Sequence, residues 1–164
     1  MSQSLEFYIR HNNDYLPIAS YCGSSAYMEM FHDYVPGYSG LGVVTESILG
    51  SVRADVRQKI EEHKQFIKRT ERLKQDILQA NNSMEEKLEQ IAGLDEYIEE
   101  TEDENEALDS VDHFINFLYG ILEEVEFCKQ KGIQKDKYLY AGVEPMKVKD
   151  VNELTEEDRK DWMI

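Results

Sequence analysis

A chain of 164 residues with 41% hydrophobic content, ten tyrosines and only three prolines can bury a real core, and is too apolar for a disordered acidic tail. Its 34 acids against 18 bases give a formal charge of −16. That balance excludes a direct nucleic-acid binder or a ligand of anionic membranes, and makes a basic protein surface the natural partner.

No apolar run reaches the roughly 18 residues of a membrane span. The opening MSQSLEFYIRHNN lacks the basic start and apolar stretch of a secretory leader, so a soluble cytoplasmic protein is expected. Cys22 and Cys128 lie far apart without ligand-like spacing, which fits a reduced compartment. A disulfide between them would require the fold to bring them together.

Residues 5–10 alternate, with Leu5, Phe7 and Ile9 on one face and Glu6, Tyr8 and Arg10 on the other, the period of a strand. His11-Asn12-Asn13-Asp14 supplies turn residues, and Tyr15 to Cys22 reads as the returning strand of a hairpin. Pro17 has no N–H and belongs at an edge or a non-donating position. After Gly23-Ser24-Ser25, a short helix rich in Met and Tyr is expected from Ala26 to about Tyr34. Residues 35–42 form a Gly-rich loop.

Thr45 is a good N-cap, and Val44 with Leu49 occupies the two positions of a hydrophobic staple. From there to about Ala80 only Gly50 disfavours helix. The apolar line is Ile48, Val52, Val56, Ile60, Ile67, Leu73 and Ile77, with Phe66 and Leu78 beside it, spaced mostly by three, four and seven as coiled-coil packing requires. Asn81-Asn82 interrupts, and Ser83 with Glu86 fits a capping box opening a second long helix, Met84 to about Lys131. A short break between two long helices makes them antiparallel neighbours.

The second helix carries Ile91, Leu94, Ile98, Leu108, Val111, Ile115, Leu118, Leu122 and Val125. If that helix bends or breaks, Thr101 to Asn105 is the place, because the seam there is polar. Gly132 is placed to end the helix. Tyr138 to Val143 is a third strand that completes a sheet with the hairpin, and a short helix ending in Trp162, Met163 and Ile164 closes the chain. The expected architecture is therefore α+β. A small three-stranded antiparallel sheet head is built from residues 1–44 and 133–164, and a coiled-coil-like helical hairpin projects from it over residues 45–132. Most of the tyrosines fall in the two chain ends, where they would pack that head.

Catalytic signals are weak. Ser24, Ser25 and Cys22 adjoin Gly23 without a GxSxG context, and the glycines at 37, 40 and 42 precede no GK[ST]. Glu102, Asp103, Glu104 and Glu106 are dense in oxygen but lack EF-hand order. Asp109 and His113 lie one helical turn apart, yet no HExxH and no pair of Glu-x-x-His motifs of the di-iron bundle type occurs. The expectation is a non-enzyme without metal or cofactor.

Charge is the strong signal. Leu88 to Cys128 holds fourteen acids and no base, whereas Arg53 to Lys74 in the preceding helix holds eight bases against four acids. Packed antiparallel, the two helices gain flanking pairs that help fix their orientation. Eight bases cannot match fourteen acids, and exposed pairs are worth only ~0–1 kcal/mol each. The surplus peaks at Asp95, Glu96, Glu99, Glu100, Glu102, Asp103, Glu104, Glu106 and Asp109, the expected partner-binding face. Carboxylates along a rod can imitate phosphate spacing and enter a Lys/Arg channel, as small acidic phage and mobile-element inhibitors of restriction or CRISPR nucleases do. That parallel rests on charge and size alone. The competing expectation is a scaffolding module that self-associates to a homodimer through its seam, its charge serving solubility and orientation.

Overall fold

The computed structural model describes residues 4–11, 14–22, 26–34, 42–132 and 139–142. Its elements are β1 (Ser4–His11), β2 (Asp14–Cys22), α1 (Ala26–Phe31), β3 (Gly42–Val43), α2 (Glu46–Gln79), α3 (Met84–Gln130) and β4 (Leu139–Gly142). The α+β layout follows the sequence reading: a small antiparallel sheet, and two long helices packed against each other. The sheet order is β2-β1-β4-β3. Beyond the three expected strands, Gly42 and Val43 pair with Ala141 and Tyr140 as a two-residue edge strand. Residues 35–41 of the Gly-rich loop, the Ser24-Ser25 break and the C-terminal helix expected before Ile164 lie outside the described residues.

β1 is central, paired to β2 on one side and β4 on the other. Its register with β2 slips between Phe7 and Tyr8, where Phe7 faces Ala19 and Tyr8 faces Pro17. Proline cannot donate to the ladder, so a bulge beside it is the low-cost arrangement. Leu5, Phe7 and Ile9 point into the core, as the alternation requires. Tyr8, on the other face, is also buried, flanked in register by Pro17 and Tyr140.

One core joins head and hairpin. Leu5, Phe7 and Ile9 of β1 meet Leu139 and Ala141 of β4, Phe31 of α1, Val44 before α2, Leu49, Val52 and Val56 of α2, and Leu108, Val111, Ile115 and Leu118 of α3. Phe7 is its centre, with its ring edge-on to Phe31 and Phe114 at 5.2 Å each. Ile48, Val52, Val56 and Ile60, spaced by fours, are α2 residues that join this core.

Both helix starts are capped as their residues dictate. Thr45 Oγ1 accepts from the Ile48 N–H at 3.3 Å, and both staple residues, Val44 and Leu49, are buried. Ser83 Oγ accepts from the Glu86 N–H at 3.3 Å. Lys87 Nζ donates to the Leu78 carbonyl at 3.0 Å, closing the open end of α2 across the turn. α3 ends at Gln130 with Lys131 as its C-cap, and Gly132 follows with a φ of 72°, the left-handed conformation that glycine adopts without strain.

α2 and α3 span about 51 and 70 Å at 1.5 Å per residue. Ties between Arg53 and Asp112, His63 and Asn105, and Lys74 and Asp95 climb the hairpin in one antiparallel register. α3 runs unbroken through Thr101 to Asn105, the place where its polar seam offered a break. The polar seam residues find partners there: His63 donates from Nδ1 to Asn105 Oδ1 at 2.7 Å, and Thr101 Oγ1 donates to the Tyr97 carbonyl at 2.7 Å.

Gly50 is the one helix-interior residue of α2 that resists helix. A Cβ built there would meet only the Tyr119 hydroxyl, at an ordinary 3.6 Å. Gly50→Ala is expected to raise stability by about 0.5–1 kcal/mol through the lost backbone freedom of glycine. An unchanged or lower midpoint in urea would contradict this.

Candidate partner-binding face

The seam defines which face of α3 is free. Ile98, Thr101, Asn105 and Leu108 turn inward at alternating steps of three and four. Glu96, Glu99, Asp103 and Glu106 therefore fall on the line farthest from α2, with Glu100, Glu102 and Asp109 beside it. All nine carboxylates of the expected face are exposed.

They divide into two groups. Asp95 is bonded to Lys74 across the seam, and Glu104 Oε2 lies 3.4 Å from His63 Nε2. Glu96, Glu99, Glu100, Glu102, Asp103, Glu106 and Asp109 form no ion pair among the described residues. The basic helix accounts for little of the surplus. Of its eight bases, Arg53, Arg57 and Lys74 reach carboxylates of α3, and Lys59 turns to Glu29 of α1 at 2.5 Å.

Several seam residues were not apparent as such from the apolar pattern. Leu73, expected in the line, is 48% exposed. The inward positions follow Val56, Ile60, His63, Ile67, Thr70, Lys74 and Ile77 in strict three-four alternation, so three of them are polar. Thr70 is buried with its hydroxyl donated to the Phe66 carbonyl at 2.8 Å. Counting spacing irrespective of polarity would have found them.

At the base of the hairpin, Arg53 lies 3.3 Å from Asp112, donates to Asn116 Oδ1, and sits 4.9 Å over the Tyr119 ring. The Arg53 Nε and Asp112 Oδ1 atoms are buried without a hydrogen bond between them. These groups tie α2 to α3 at the base of the hairpin.

Two clefts open on the described surface, and only the smaller touches the face, at Glu104. A groove of about 510 Å³ runs between Val43 of the edge strand β3, Leu139 of β4 and Tyr119, Leu122 and Phe127 of α3. A smaller one, about 310 Å³, lies where α1 meets the hairpin, between Glu29, Lys59, His63, Glu104 and Leu108. Among the described residues no three His, Cys, Asp or Glu side chains converge as metal ligands, and Asp109 and His113 are both exposed. Cys128 is a buried free thiol. No described helix is long and apolar enough to cross a membrane.

Among the described residues the protons of Lys74, Tyr34 and Tyr27 are held more tightly than usual, that of Tyr27 through burial. The Lys74 ammonium is raised above its ordinary 10.5 chiefly by its hydrogen bond to Asp95. The Tyr34 hydroxyl donates to Asp55 Oδ2 at 2.7 Å, and that bond raises it above 10.0, with burial adding to the shift. Groups whose folded value is raised stabilise fully below the unfolded value, and that contribution is lost as pH rises through the folded value. Stability is therefore expected to fall above about pH 10, and Tyr34→Phe to flatten the fall. A thermal midpoint whose alkaline slope is identical in Tyr34→Phe would refute the assignment.

No protein-family model, curated protein or solved structure matches the chain.

Proposed function

We propose that this chain is a non-enzymatic acidic interaction protein whose outer α3 face enters the basic groove of a nucleic-acid-binding protein and blocks it. What supports the reading above all is the unpaired ridge from Glu96 to Asp109. Thirteen steps at 1.5 Å give about 20 Å for seven carboxylates, or roughly 3 Å per charge. One strand of duplex DNA carries a phosphate about every 3.4 Å along the axis, so a Lys/Arg channel built for nucleic acid meets a similar charge density here. The carboxylates stand on a helix held by a second helix, so their spacing is fixed before binding and little ordering entropy is spent on association.

The test is competition. Increasing amounts of the protein are added to purified restriction and CRISPR nucleases while DNA cleavage is followed. Inhibition of at least one enzyme, relieved by excess DNA and weakening steeply with salt, is the expected result. Absence of inhibition of every enzyme at low salt would count against the reading.

The second reading, self-association as a scaffold, is favoured by one observation. Leu78, Met84 and Leu88 at the hairpin tip are 46%, 64% and 59% exposed. Light scattering that returns the mass of one chain removes it.

A further inference from the structure

The head covers one side of the hairpin, and that side does not end where the head ends. Val52 on α2, and Val111, Leu118 and Val125 on α3, are buried beneath or beside the sheet. They recur every seven residues along α3, and the same heptad position on α2 passes through Lys59, which is tied to Glu29 of the head. Seven residues beyond Lys59 the position holds Phe66, then Leu73; on α3 it holds Glu104, then Tyr97. In an antiparallel pair these two series lie on the same side of the seam. Beyond the head the side carries an apolar stripe with no cover among the described residues: Phe66 is 38% exposed, Leu73 48% and Tyr97 60%.

Charge selects what covers it. Glu62 and Asp76 flank the stripe on α2 and Glu100 and Glu104 on α3, with Arg69 as the base among them. A second copy would bring the same carboxylates against these. A partner with apolar side chains between arginines or lysines would meet both features. Gly93 beside Tyr97 and Ala107 beside Glu104 keep the α3 flank low, and a Cβ added at Gly93 meets nothing within 4 Å, so a rod-shaped partner can lie close. The open length of α2, residues 62–79, is about 26 Å and matches a helix of about 18 residues.

We infer that the distal hairpin receives a basic amphipathic helix of its partner, whose apolar seam packs on Phe66, Leu73 and Tyr97 and completes a three-helix layer that the head completes at the base. This names the chemistry of the partner and rests on the reading of α3 as a face for a basic protein. The exposed aromatic is the anchor: tyrosine is enriched among residues that dominate interfaces, and its ring also accepts an arginine.

The experiment uses three labelled peptides of about 18 residues. The first carries leucines at i, i+3 and i+7 between arginines; the second replaces leucine by serine, and the third replaces arginine by glutamate. Anisotropy is followed with the full chain, with a stripe variant (Phe66→Ser, Leu73→Ser, Tyr97→Ser) and with a ridge variant (Glu99→Gln, Asp103→Asn, Glu106→Gln). Circular dichroism checks that all three melt alike. The Leu/Arg peptide is expected to bind the wild type and to lose about tenfold or more on the stripe variant, while the Ser/Arg peptide binds both equally. The Leu/Glu peptide is expected not to bind. An unchanged Leu/Arg affinity on the stripe variant, no Leu/Arg binding to the wild type, or equal binding of the Leu/Glu peptide overturns the inference. So does a doubled wild-type mass in light scattering that the stripe variant abolishes, which would make the occupant a second copy. If the ridge variant weakens neither arginine peptide, it is the underlying reading of α3 that fails.

Discussion

Replacing Phe7 by alanine is expected to lower the free energy of unfolding by about 3–5 kcal/mol, the cost of a buried aromatic and its cavity. The ring is fully buried on the central strand, and it touches two aromatic rings from different elements, Phe31 of α1 and Phe114 of α3. Each edge-on pair adds about 0.5–1.5 kcal/mol beyond the buried area. The cavity has few ways to collapse, because β1 is held by β2 on one side and β4 on the other. Since the same core contains Val52, Val56, Leu108 and Ile115, losing the ring loosens the base of the hairpin together with the sheet. Denaturant unfolding read by circular dichroism measures this. A loss below about 1 kcal/mol would mean that Phe7 does not join the two parts.

The second large effect is expected at Arg53. Truncation to alanine strands Asp112, whose Oδ1 is buried without a hydrogen bond, and removes the partner of Asn116 and of the Tyr119 ring. Breaking a fully buried pair costs about 3–5 kcal/mol, and residual solvation of these side chains brings the expectation to about 2–4 kcal/mol. The two side chains keep 22% and 24% of their exposure, and Arg57 at 3.6 Å from Asp112 makes good part of the loss. The double variant Arg53→Met, Asp112→Leu is expected to recover most of it, because apolar side chains of similar volume replace a buried ion pair without desolvating charge. A double variant no better than Arg53→Ala would assign the loss to Asn116 and Tyr119 instead.

Much of this architecture is legible in local chemistry. Period-two alternation at Leu5, Phe7 and Ile9, the cap at Thr45, the break at Asn81-Asn82 and the left-handed residue at Gly132 each act over a few residues, and each lies where the fold uses it. What depends on distant partners was less legible. The polar stretch at Thr101–Asn105 reads as a break until His63 is placed opposite Asn105. Leu73 reads as a seam residue because it is apolar, whereas the seam passes through Thr70 and Lys74, whose polar groups are satisfied by the Phe66 carbonyl and by Asp95. The two-residue strand β3 has no periodicity of its own and exists because β4 offers it an edge.

The candidate face was legible as an excess of charge but not as a pattern. Composition identifies Asp95 and Glu104 as members of the acidic run, equal to the rest. Only the hairpin register ties the first to Lys74 and sets the second beside His63, leaving the outward ridge as the unneutralised remainder. The exposed stripe of Phe66, Leu73 and Tyr97 was hidden for the same reason: its side of the rod is defined by the head.

The central claim is that the position of the carboxylates, rather than the net charge of −16, makes the binding face. Two variants with the same loss of charge separate these. One carries Glu96→Gln, Glu99→Gln, Glu100→Gln, Asp103→Asn and Glu106→Gln on the ridge; the other carries Glu85→Gln, Glu86→Gln, Glu89→Gln, Glu123→Gln and Glu126→Gln toward the ends of α3. Inhibition constants are measured against a nuclease that the wild type inhibits. The ridge variant is expected to lose about a hundredfold or more, and the control variant only a small factor from weakened long-range attraction. Equal losses in the two variants would contradict the account.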